Sequence, residues 1–116
     1  MRQPSTAKVL HRASKLKGVH KNVHIVSDDG RVDQNDVDIS KSMADEVTWF
    51  AHGAEGATIE FSSPDGSPFY DSTFRVPAAG SIASGPATST AVVNKYYKYT
   101  VKGRAGQNDP GVIIHN

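Results

Sequence analysis

A chain of 116 residues fits a single domain, and at that length roughly two-thirds of the surface exposed when unfolded is buried, enough for a core without covalent staples. It has no cysteine, which excludes disulfides, thiolate metal centres and cysteine nucleophiles but leaves the redox compartment open. Net charge is +1, yet residues 1–21 hold Arg2, Lys8, Arg12, Lys15, Lys17 and Lys21 and no acid, while the other 95 hold seven basic and twelve acidic side chains, so a basic arm precedes an acidic body.

In the arm, Ala7, Val9, Leu10, Ala13 and Leu16 fall loosely at helical spacing among the basic residues. This reads as a short amphipathic helix capped by Ser5 or Thr6, or as a disordered segment, since isolated helices this short are marginal in water. Gly18 ends it. The stretch lacks the apolar centre of a signal peptide. No apolar run approaches the roughly 20 residues that span a bilayer. The expected location is cytoplasmic as written, or periplasmic or extracellular if a signal has been removed.

From Asn22 the period changes to two. Val23 and Ile25 alternate with polar residues, and so do Val37 and Ile39 after the turn-forming Asp28-Asp29-Gly30 and Gln34-Asn35-Asp36. Val47, Trp49 and Ala51 follow the same rule, then Ile59 and Phe61. Pro64-Asp65-Gly66-Ser67-Pro68 is a turn, and Phe74 and Val76 come after it. Ile82 lies in a short segment, and residues 83–91 read as a flexible loop. Tyr97, Tyr99 and Val101 alternate, and Val112, Ile113 and Ile114 close the chain. Seven or eight short strands with turns between them predict an all-β, antiparallel Greek-key sandwich over residues 22–116, after an arm at 1–21. The expected core is Val23, Ile25, Val37, Ile39, Val47, Trp49, Ile59, Phe61, Phe74, Val76, Ile82, Tyr97, Tyr99, Val101 and Ile113.

Three local patterns carry a family resemblance: Asp45-Glu46-Val47-Thr48-Trp49, Phe74-Arg75-Val76-Pro77-Ala78-Ala79-Gly80-Ser81 and Tyr97-Lys98-Tyr99-Thr100-Val101. In order and spacing they resemble the blue-copper proteins, or cupredoxins, of the plastocyanin and azurin type. The ending from Asp109 to Ile114 is similar to that of small copper-free bacterial relatives. The resemblance implies a cupredoxin sandwich and places a copper site. A first histidine is implied where Ala57 stands, a cysteine where Val101 stands, and a second histidine, usually with a methionine, within 102–114, which contains neither. A trigonal copper site needs a thiolate and two imidazoles converging on one point. Neither alanine nor valine offers a donor atom, so an apolar, copper-free pocket and no cofactor are expected.

Five histidines remain as metal-ligand candidates: His11, His20, His24, His52 and His115. His20 and His24 are four apart, but on a strand that spacing separates them by about 13 Å, too far for one ion. The expected state is ordinary surface histidines, with transition-metal binding through His11, His20 or His24 as the alternative. Asp28, Asp29, Asp33, Asp36 and Asp38 lack the spacing and the late glutamate of a calcium loop and read as a solvated acidic turn. Trp49, Tyr97 and Tyr99 belong to the core, while Phe50 and Tyr96 face outward, where they could meet a partner. No local signature of a catalytic nucleophile appears.

These features predict a non-catalytic interaction or structural module whose partner is another protein or a second copy of itself, engaged through the arm or a sheet edge. Binding of nucleic acid or an anionic membrane surface by the six arm charges is an alternative, as is metal binding by surface histidines. No small-molecule substrate is expected. A remnant of a removed leader is the other reading of the arm.

Overall fold

The computed structural model describes residues 18–53 and 55–116; Arg2, Lys8, His11, Arg12, Lys15, Lys17 and the expected arm helix lie outside them. Ten strands occur in the described residues: β1 (His20–Ile25), β2 (Asp36–Ser40), β3 (Glu46–Ala51), β4 (Ala57–Glu60), β5 (Thr73–Val76), β6 (Ser81–Ala83), β7 (Lys95–Lys98), β8 (Thr100–Lys102), β9 (Gln107–Asn108) and β10 (Gly111–His115). β1 therefore starts two residues before the expected domain boundary, and Lys21 is its second residue rather than part of an arm.

β7 to β10 form one long hairpin. Lys102 pairs with Gln107, Val101 with Asn108, Lys98 with Gly111 and Tyr97 with Val112, all in one register. Between the two ladders the Tyr99 amide donates to the Pro110 carbonyl at 2.9 Å. Proline has no amide to give a ladder, so β9 and β10 are separate strands of one continuous run. This hairpin joins β2-β10-β7 to β5-β4-β8-β9 as one layer, and β1-β3-β6 forms the other. Five ladders are antiparallel. Two are parallel, β1 with β3 and β2 with β10. The sheets are thus mixed, because the long connections between layers return some strands in the same direction.

Alternation buries one face of each strand, and thirteen of the fifteen expected core residues are buried. Ile82 is only half-buried, on the three-residue β6. Ile113 faces the other way, and Val112 and Ile114 take the core positions. The register explains the change: Val112 lies opposite Val37 and Tyr97, and Ile114 opposite Ile39, all inward-facing. A run of three β-branched residues does not by itself say which one points inward.

Phe69, in the connection between β4 and β5, joins the core although no strand carries it. Its amide donates to Ser67 Oγ at 3.0 Å, and Ser67 Oγ donates to the Asp71 carbonyl at 2.7 Å, which turns the ring inward. Trp49, Phe61, Phe69, Phe74 and Tyr99 then form one aromatic cluster with centroid spacings of 5.1–6.4 Å. Their tilted and edge-on pairings are those the ring quadrupoles favour.

The segment 83–91 is anchored rather than loose. Ser84 is buried and its Oγ accepts the Val47 amide at 2.9 Å. Lys41 Nζ donates to the Ser89 and Ala91 carbonyls at 2.8 and 2.7 Å. These long-range partners are invisible in an Ala-, Ser- and Thr-rich sequence.

Candidate functional site

The two positions implied as copper ligands lie on neighbouring strands. Ile59 of β4 pairs with Val101 of β8, and Ala57 is two residues before Ile59 on the same inward face. Ala57 is 4% exposed and Val101 fully buried. Both close-pack as hydrocarbon, and the chain has no thiol anywhere. A blue-copper ion does not fit this donor set. Among the described residues, no three His, Asp or Glu side chains stand close enough to share an ion.

Above Ala57 opens a cleft of about 490 Å³ at the end of the sandwich. Its apolar lining includes Ile25, Val26, Ala51 and Ala57, and its polar lining includes Asp28, His52, Glu55 and Arg104. It is less uniformly apolar than the sequence suggests, because the turns after β1, β3 and β8 bring charged residues to the rim. Arg104 and Asp28 close part of that rim with an ion pair of 3.1 Å.

The histidines fall into separate surroundings. His20 Nδ1 lies 2.7 Å from Thr48 Oγ1, and its Nε2 lies 3.9 Å from Glu46. His115 faces Asp38 at 3.4 Å. His24 instead meets His52, with Nδ1 and Nε2 2.7 Å apart. A centroid spacing of 4.9 Å at that contact, with planes 15° apart, sets the rings edge to edge rather than face to face. Phe50 lies nearly parallel to His24, 4.8 Å between centroids. The parallel register produces this group: His24 pairs with Phe50, and His52 is the next outward residue beyond Phe50. Sequence spacing links His24 with His20; strand pairing links it with His52, 28 residues away.

The acidic stretch disperses instead of converging. Asp28 faces Arg104, Asp38 faces His115, and Asp33 Oδ1 accepts the His24 amide at 2.8 Å. Asp29 pairs with Arg31 at 3.2 Å. The Ser27 hydroxyl, with help from the Arg31 amide and guanidinium, holds the Asp29 carboxyl below its usual range. Gln34 Nε2 donates to the Asn22 carbonyl at 2.9 Å. Asp33 and Gln34 side chains thereby stand in for a neighbouring strand on the outer side of β1, which blunts that edge.

Tyr96 and Phe50 do face outward, as alternation predicts. Tyr96 crosses the sheet above Gly111: a Cβ there would come within 2.2 Å of its ring. Its hydroxyl lies beside Asp36, and partial burial first, then this carboxylate, raises its pKa. Tyr70 at 80% exposure and Val26 at 60% are the most exposed large apolar side chains among the described residues.

No protein-family model matches the chain, and no curated protein matches its sequence. Solved structures match its fold, two of them mutants of amicyanin. One is the reduced Cu(I) form at pH 4 of a proline-to-glycine mutant of amicyanin, at 14% identity over 85% of this chain and 82% of that one, with a TM-score of 0.54. Another is a methionine-to-alanine mutant of amicyanin with Cu(I), at 13% identity over the same shares, with a TM-score of 0.53. The chain is a β-sandwich with the fold of the cupredoxins, and among the described residues it shows no group of three His, Asp or Glu side chains that could hold a metal ion.

Proposed function

We propose that this domain is a non-catalytic interaction module: a cupredoxin-like scaffold that carries a binding surface instead of copper. One observation carries the reading. The sandwich is complete, yet Ala57 and Val101, where the sequence resemblance implies copper ligands, are buried aliphatic side chains with no donor atom. Function on such a scaffold resides in surfaces grafted onto it. Its partner is a second copy of the chain or another protein, engaged through the basic arm and the acidic body. Seven basic and twelve acidic residues in the body give the arm a complementary surface.

Light scattering on the full chain and on a variant lacking residues 1–17 tests this. That cut spares β1, whose entry is fixed by the Val19 amide donating to Asp45 Oδ1 at 3.0 Å. The expected result is association of the full chain that weakens with added salt and with removal of the arm. A full chain that stays monomeric at high concentration, and behaves identically without its arm, refutes the reading.

A further inference from the structure

We infer that His24 and His52 form a surface site for a divalent transition-metal ion such as Cu(II) or Ni(II), on the outer face of β1 and the end of β3, with His52 at the edge of the cleft above Ala57 and with ligands other than Ala57 and Val101. The site does not depend on the interaction reading above. Two imidazole nitrogens, one from β1 and one from the residue just after β3, already meet at 2.7 Å, and His52 is exposed to solvent. In the ion-free state one ring donates its N–H to the other's lone pair, so a single proton occupies the space between them.

An ion that replaces this proton needs both lone pairs. At a metal–nitrogen distance of about 2.0–2.1 Å, two nitrogens about 2.9 Å apart subtend a right angle at the metal. The two nitrogens therefore part by only a few tenths of an ångström, while each ring swings by about 45° to aim its lone pair at one point. A right angle suits the tetragonal geometry of Cu(II) and Ni(II), and imidazole suits both ions. Water completes the coordination on the solvent side.

Two features make the pair more than a chance contact. Phe50 lies parallel to the His24 ring and restricts its rotation. Asp33 accepts the His24 backbone amide and brings a carboxylate to the same strand position, where negative charge favours a cation. The amide contact also fixes the strand from which His24 projects, so part of the ordering cost of the site is met before the ion arrives. His20, four residues along β1, is bound to Thr48 and lies outside the site.

Calorimetric titration of the full chain with Cu(II), repeated with Ni(II), tests the assignment, with histidine resonances followed by NMR. One ion per chain is expected, with His24 and His52 signals perturbed first. Removing a partner that only orients a metal ligand costs about 10–100-fold in affinity, so His52→Asn, which removes a ligand, is expected to weaken binding at least about tenfold. His24→Gln is expected to do the same, and His20→Ala to leave binding unchanged. Unaltered Cu(II) affinity in the His52→Asn variant overturns the site, as does perturbation of His20 or His115 while His24 and His52 stay unmoved. His52 lies on the surface, so its substitution tests the site without disturbing the core.

Discussion

Trp49 donates its indole N–H to the Tyr99 hydroxyl across 3.2 Å inside the core. Trp49 belongs to β3 in one layer, and Tyr99 sits at the bend between β7 and β8 in the other. The bond satisfies the one polar atom of a fully buried tryptophan, and burial without it would carry a desolvation cost. Tyr99→Phe keeps the ring and removes the acceptor. The expected loss is about 1–3 kcal/mol of stability, measured as a lower urea midpoint with an unchanged denaturant slope.

Burial raises the Tyr99 pKa more than its bond from Trp49 lowers it, and Tyr96 is shifted in the same direction. A phenol whose folded pKa lies above its unfolded value holds its proton more tightly in the native state. Its contribution to stability is complete below the unfolded value of about 10 and declines as pH rises beyond it. Unfolding midpoints are therefore expected to fall above about pH 10, and to fall less steeply in Tyr99→Phe. Equal alkaline losses in both proteins would argue against this origin.

Asp45 gives its two oxygens to two amides: Oδ1 to Val19 at 3.0 Å and Oδ2 to Ser40 at 2.9 Å. It is one of only two buried polar residues among those described, and it ties the start of β1 to the end of β2. Asp45→Ala leaves both amides without their partner, at a cost of about 2–4 kcal/mol when each loses about 1–2. Hydrogen exchange should show the amides of Val19 and Ser40 losing protection before those of the aromatic core.

Tyr96 over Gly111 predicts a coupled pair. Gly111→Ala drives a methyl group into the Tyr96 ring, so it destabilises the fold and shifts the ring. Tyr96→Ala removes the obstacle, and the double variant should lose less than the sum of the single ones. A coupling of about 0.5 kcal/mol or more is expected for residues in contact; strict additivity would mean that the ring does not cover Gly111.

Added Cu(II) should give no intense blue absorption, because that colour requires a thiolate ligand and the chain has none. Only the weak absorption of copper on nitrogen and oxygen ligands is expected, and it should be lost with His24 and His52. An intense blue band would contradict the closed position at Ala57 and Val101.

Much of the fold is legible in the residues themselves. Alternation from Val23 to Val101 marks most of the core, because it depends on residue type at spacing two apart, and the absence of cysteine excludes a blue-copper thiolate centre from composition alone. Phe69 and the anchored segment at 83–91 are not legible: Ser67, Ser84 and Lys41 fix them through hydrogen bonds whose partners are set by the fold. Ile113 is misassigned for a related reason. A run of three β-branched residues can face either way until Val37, Ile39 and Tyr97 are laid beside it.

The candidate site shows the same division more sharply. Sequence supplies five histidines and the rule that neighbours four apart on a strand do not meet. Which histidines do meet depends on the parallel register of β1 against β3, and that register comes from packing Val23 and Ile25 with Trp49 and Ala51 in one core. Local sequence determined which chemistry this chain lacks. Only the tertiary structure decided which side chains face each other across strands, because strand pairing is a cooperative, long-range choice that no short segment makes alone.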